Sequence, residues 1–214
     1  MSVISLTLKR YNRMGRTSSG NRGGLQPGDS NYKGSIKNVE PLVKMKDAAM
    51  YKATKQAISR YHAVLGVRER NVKLATLSVG TLGVQVSSGG KSEGIYLNKF
   101  YFNQGAKAVN AQTSRGYKSG WHTKTNKPLA HTVTHELAHA TWNSSLGGAN
   151  QKAAGKEIRA LYKKWVADKK KSGYGKYAHT NVDEFWAETV TKAVHGKRDK
   201  YTTKVKEICK KYKL

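Results

Sequence analysis

The chain is poor in acidic residues and contains a single cysteine. Of its 214 residues only 13 are Asp or Glu, against 40 Lys or Arg, so the formal net charge at pH 7 is +27. Because Cys209 is alone, an intrachain disulfide and a multi-cysteine zinc site are both excluded. Any bound metal must therefore be held mainly by histidine and carboxylate side chains.

Long apolar runs are also missing. No stretch of about 18 apolar residues occurs, which excludes a membrane-spanning helix. The opening residues 1–16 lack the extended apolar region of a secretory signal. Hydrophobic residues nevertheless make up 37% of the chain, enough for a real core. We therefore expect a protein that is kept inside a cell, or packaged there into a particle such as a virion.

The excess of positive charge is informative about binding partners rather than about the fold. The densest basic runs are residues 169–171 and the tail from 204 to 213, and neither carries a base-reading motif. Charge of this size attracts polyanions such as nucleic acid. The alternative is a solvated basic surface that only keeps the protein soluble.

Local patterns divide the chain into an arm and a domain. Residues 1–39 are rich in Gly, Ser, Asn and Arg, which is typical of a flexible basic arm, and residues 40–214 are expected to form the domain. Apolar residues three or four apart predict helices, and β-branched runs between turn signals predict two or three strands. The predicted helices cover about 41–65, 128–144, 153–171 and 181–195, and the predicted strands cover 72–79, 82–86 and 94–102.

One helical segment carries the sequence His135-Glu136-Leu-Ala-His139. Residues four apart share a helix face, so the two histidines can present their imidazoles to one Zn²⁺ while Glu136 reaches a metal-bound water. This is the arrangement that metal-assisted hydrolysis requires. His131, one turn earlier, could approach the metal, but we expect it to face solvent.

A catalytic zinc ion needs a third protein ligand from elsewhere in the chain. The best source is the carboxylate cluster Asp183, Glu184 and Glu188 on the last of the four predicted helices. Glu184 and Glu188 are four residues apart, so one can bind the metal while the other hydrogen-bonds a ligand imidazole. Spacing alone does not decide which of the two is the ligand.

Two segments carry a resemblance to a known family. The run from Thr134 to Ala140 (THELAHA) and the run from Lys176 to Glu188 (KYAHTNVDEFWAE) resemble the catalytic domain of anthrax-lethal-factor-like zinc metallopeptidases, which are gluzincins. Similar zincin-like modules occur in bacteriophage head-associated proteins. The resemblance covers roughly residues 92–196. Ala138 and Ala178 stand where the family usually has glycine, and neither departure removes a reacting group.

The resemblance implies a role for each matched residue. His135, His139 and Glu184 would be the zinc ligands, Glu136 the general base, Tyr177 the phenol that stabilises the oxyanion, and Glu188 a carboxylate behind the ligands. It also implies an α+β, zincin-like fold. In that fold the HExxH helix and the Glu-bearing helix pack on a small mixed sheet.

Two functions from different classes remain open. The first is a zinc-dependent endopeptidase, with Zn²⁺ as cofactor, that hydrolyses a protein or peptide substrate through a Glu-activated, zinc-bound water. The alternative is a structural bacteriophage virion protein. Its zincin-like domain would bind zinc for stability, while the basic arm and tail contact DNA or neighbouring subunits.

Overall fold

A computed structural model describes residues 34–67, 70–88, 91–144 and 149–214 of the chain. Within these residues seven α-helices accompany one four-stranded mixed sheet, which confirms the α+β class and the small mixed sheet. Most of the expected basic arm, residues 1–33, lies outside the described residues. Residues 37–39, which were assigned to that arm, belong to the first strand.

The sheet has the strand order β1-β2-β4-β3. β1 and β3 pair antiparallel with their neighbours, and β2 pairs parallel with β4. β1 was not predicted, because most of its residues are exposed and it offers no apolar alternation. The strands are β1 (Lys37–Pro41), β2 (Val72–Thr76), β3 (Gly83–Ser88) and β4 (Lys91–Asn98).

Two elements begin or end at a capping residue rather than at the boundary predicted from the sequence. The first long helix begins at Ala48 rather than near 41, because the Asp47 carboxylate accepts a hydrogen bond from the Met50 backbone N–H at 2.6 Å. The third predicted strand ends at Asn98, whose side chain caps the next short helix. The helices are α1 (Ala48–Leu65), α2 (Lys99–Phe102), α3 (Ala106–Lys118), α4 (Pro128–Ser144), α5 (Ala149–Ala167), α6 (Val182–His195) and α7 (Lys200–Tyr212).

Helix α4 lies at the centre of the domain and contacts β3, β4, α1, α3 and α6. Trp142, Trp165 and Trp186 are buried and anchor the core. The Trp186 indole N–H donates to the Ala138 carbonyl at 2.9 Å and so ties α6 to α4. Cys209 is fully buried in α7. No described helix is long and apolar enough to cross a membrane.

Candidate metal centre

Helix α4 supplies the two histidines of the candidate centre. It begins at Pro128, a residue favoured in the first helical turn because its φ is already helical and the position needs no N–H donor. Val133 and Leu137 are fully buried in the core, so the helix is fixed in rotation. The face carrying His135 and His139 is thereby turned towards α6.

Helix α6 brings the carboxylate of Glu184 to these histidines. Asn181 caps the helix by accepting a hydrogen bond from the Glu184 backbone N–H at 2.8 Å, which sets the direction of the first turn. Oε2 of Glu184 then lies 3.1 Å from Nε2 of His135 and 3.3 Å from Nε2 of His139. The two Nε2 atoms are 3.1 Å apart.

The three donor atoms fit a divalent metal ion. A tetrahedral ion with bonds of 2.0–2.1 Å keeps its ligand atoms about 3.3 Å apart, close to the spacings measured between these three side chains. Two imidazoles and one carboxylate are also a donor set that catalytic zinc sites use. His135, His139 and Glu184 thus form one metal-capable group within the described residues, and Asp183 belongs to no such group there.

Electrostatics keep the carboxylate of this group ionised. Burial opposes ionisation of Glu184, but the neighbouring His139 and His135 outweigh it and hold the pKa of Glu184 well below its ordinary value. Burial likewise opposes protonation of His135, and the carboxylates of Glu184 and Glu188 raise its pKa well above the ordinary value. The ionised Glu184 is therefore in place for a cation, which would displace the proton of His135 on binding.

Glu136 lies beside the donor atoms and against the sheet. Burial raises the pKa of its carboxyl group, although His135 and His139 act in the opposite direction. The backbone of Gln85 in β3 hydrogen-bonds the same carboxylate. Gly83 permits the close approach, because a Cβ atom there would lie 3.2 Å from Cγ of Glu136. The carboxylate is therefore held between α4 and the edge of the sheet.

Tyr177 packs directly on a candidate ligand. It lies in a 3₁₀ turn (Lys176–His179), and its backbone N–H donates to the Trp121 carbonyl at 2.8 Å. Its ring stacks on that of His135, with centroids 5.5 Å apart and planes 9° from parallel. The Trp121 ring stacks on Tyr177 as well, at 5.3 Å. The phenol is thus held at the candidate centre by two stacked rings.

Glu188 is fully buried one turn further along α6. Its Oε2 accepts a hydrogen bond from the Thr123 backbone N–H at 2.6 Å, and its Oε1 lies 3.2 Å from Nδ1 of His135. The two co-facial carboxylates therefore contact different nitrogens of the same imidazole, Glu184 on the Nε2 side and Glu188 on the Nδ1 side.

The structure brings two further histidines to Glu188 that the sequence did not assign. The expectation that His131 faces solvent is wrong: it is buried, with Nε2 3.4 Å from Oε1 of Glu188. The signal was present, since His131, His135 and His139 recur every four residues on one helix face. His122 places its Nδ1 3.4 Å from the same oxygen. His122 lies in a loop, so no helical or strand spacing in the sequence indicated its contact with Glu188.

Comparison with known proteins adds no relative to this description. No protein-family model matches the chain. Neither a curated protein nor a solved structure matches it.

Proposed function

We propose that the protein is a zinc-dependent endopeptidase. The observation that carries the proposal is the triangle of donor atoms from His135, His139 and Glu184, 3.1–3.3 Å apart, with the Glu136 carboxylate close enough to interact electrostatically with both histidines. A bound Zn²⁺ would supply Lewis-acid polarisation of a carbonyl and lower the pKa of a water molecule towards ~7. The chain supplies the remaining groups.

Glu136 is the general base of the proposed reaction. Its raised pKa brings it nearer to the operating pH, where a general base is most effective. It accepts a proton from the attacking water and delivers that proton to the leaving amine. The Tyr177 phenol, stacked beside His135, donates a hydrogen bond to the tetrahedral oxyanion.

The edge of the sheet supports a peptide as substrate. Within the described residues β3 pairs with β4 on one side and has no strand on the other, and its Gln85 backbone reaches Glu136. An extended peptide can pair with such an edge through main-chain hydrogen bonds. Its scissile bond would then lie beside the proposed general base.

Substitution of Glu136 tests the proposal. A Glu136→Gln protein keeps the shape of the side chain and the three proposed ligands, so we expect unchanged zinc content and a loss of peptidase activity of about 10²-fold or more. Activity is measured on a peptide library with and without a chelator. Glu207→Gln, an exposed acid in α7, is the matched control. Unchanged cleavage by the Glu136→Gln protein contradicts the proposal.

The alternative function, a virion component that contacts DNA or neighbouring subunits, is favoured by a different surface. A groove at the end of α1 is lined by the basic side chains of Arg198, Lys206, Lys210 and Lys213, and Glu207 is the acid among its lining residues. If this surface binds nucleic acid, affinity falls steeply with salt because bound counterions are released. A DNA-binding titration over a range of salt concentrations measures this directly, and both functions can reside in one protein.

A further inference from the structure

A second cluster of metal-capable side chains lies next to the candidate centre. It consists of Nδ1 of His122, Nε2 of His131 and Oε1 of Glu188, three donor atoms within 4.8 Å of one another. All three atoms are buried, and none takes part in a well-directed hydrogen bond within the described part of the chain. We propose that His122, His131 and Glu188 bind a second divalent ion of the Zn²⁺ type.

The spacing of the cluster favours an ion over direct hydrogen bonds. Charge-assisted N–H···O bonds are about 2.7–2.9 Å long, whereas Oε1 of Glu188 lies 3.4 Å from both His122 and His131. A separation of about 3.3 Å is what two ligand atoms adopt around one tetrahedral zinc ion. A buried polar atom without a hydrogen-bond partner needs an explanation, and binding of an ion is one that surveys of native proteins allow.

The side chains are also held in place for binding. Oε2 of Glu188 is fixed by the Thr123 backbone, which leaves Oε1 turned to the imidazoles. Nδ1 of His131 lies 3.2 Å from the Tyr117 hydroxyl, and that hydroxyl lies 2.9 Å from the hydroxyl of Thr125. A hydrogen bond on one ring nitrogen fixes the ring and leaves the other nitrogen for a metal.

An ion can reach the cluster from solvent through His122, whose side chain is 28% exposed. The loop that carries this residue runs beside Gly175, whose backbone N–H donates to Oγ1 of Thr123 at 3.0 Å. The second site adjoins the first through His135, whose Nδ1 faces Glu188. Binding of a second ion does not depend on the proposed peptidase activity.

Metal stoichiometry tests the inference. The full chain is loaded with Zn²⁺, dialysed, and its zinc is counted by mass spectrometry. We expect two equivalents in the wild type, one in His122→Gln, one in His139→Gln and none in the double variant. His62→Gln, a change on α1 outside both clusters, is the matched control and should hold two. One equivalent in the wild type, or two in His122→Gln, overturns the proposal.

The wild-type count decides the question even if a variant fails to fold, which circular dichroism reports. His131→Gln serves as a second variant with the same expected loss of one equivalent. Failure of this inference is also distinguishable from failure of the proposed function. Two ions without peptide cleavage contradict the endopeptidase alone, and one ion with cleavage contradicts the second site alone.

Discussion

Nδ1 of His135 lies 3.2 Å from Oε1 of the fully buried Glu188. The negative charge of a carboxylate in this position favours the imidazole tautomer that carries its proton on Nδ1, so that Nε2 remains free to bind a metal. Glu188 is in turn held by the Thr123 backbone, 65 residues away in the sequence. The geometry of the candidate centre therefore depends on a loop that precedes α4 as well as on the two helices.

Removing the charge of Glu188 should weaken zinc binding at the first centre. We expect Glu188→Gln to lower the zinc affinity of the first centre by about 10–100-fold, because the ring of His135 loses the charged group that orients it. The measurement is competition with a chromophoric chelator. It is made in a His122→Gln background so that only the centre at His135, His139 and Glu184 is counted. Equal affinities in the two proteins would contradict the orienting role of Glu188.

A side chain at Gly83 should disturb the candidate site through packing alone. A Cβ atom there would lie 2.9 Å from Cγ2 of Thr132 and 3.2 Å from Cγ of Glu136, so the Thr132 side chain, β3 or α4 must shift. We expect Gly83→Ala to lower the free energy of unfolding by about 1–3 kcal/mol and to reduce peptidase activity. Urea unfolding and the peptide assay measure the two effects.

Gly155 provides the matched control for that change. It lies inside α5, and the nearest atoms that a Cβ there would meet belong to the flexible guanidinium of Arg159, at 3.3 Å. Alanine is more favourable than glycine within a helix by about 1 kcal/mol. Gly155→Ala should therefore be neutral or stabilising and leave activity unchanged. If Gly83→Ala and Gly155→Ala change stability and activity equally, the close approach of β3 to α4 is not the cause of the losses in Gly83→Ala.

Asp199 should make stability sensitive to acid. Burial opposes its ionisation, but Lys192, whose Nζ lies 2.8 Å from Oδ2, and the backbone of Thr202 lower its pKa below the ordinary value of 3.8. The unfolded chain binds this proton more readily than the folded one. The stabilisation is therefore complete above the ordinary pKa and is lost as the pH falls through the lowered one. We expect the free energy of unfolding to decline below about pH 4.

An Asp199→Asn protein tests this assignment. Asparagine still caps α7, so the substitution removes the charge while it retains the cap. Urea unfolding is compared at pH 5 and pH 3, with a chelator present throughout so that loss of metal does not contribute. The decline between the two pH values should be smaller in the variant than in the wild type. An equal decline would assign the acid sensitivity to other groups.

Helical spacing carried much of the information about the candidate centre. His135 and His139 share a face because they are four apart, and the same spacing identified Glu184 and Glu188 as a pair on α6. Periodicity reports which residues of one element lie together.

Contacts made by loops could not be predicted from local sequence patterns. His122 meets Glu188 because the loop before α4 runs alongside Gly175, and no local pattern records that two loops will pack together. Helix α3 was not predicted, since only Val109 and Thr113 of its residues are buried and its apolar face is narrow. His131 was misjudged for a related reason: the group that covers it comes from another helix.

Removal of the Tyr177 hydroxyl should separate catalysis from metal binding. Phenylalanine keeps the ring that stacks on His135 at 5.5 Å and on Trp121 at 5.3 Å, so Tyr177→Phe should retain its zinc and its stability. Loss of one oxyanion donor typically costs about 10²–10³ in kcat, with a smaller effect on KM. Steady-state kinetics on the best peptide substrate measure the change, with Tyr51→Phe on α1 as the control. If kcat is unaltered in Tyr177→Phe, Tyr177 contributes only packing. Another group must then donate the hydrogen bond to the oxyanion.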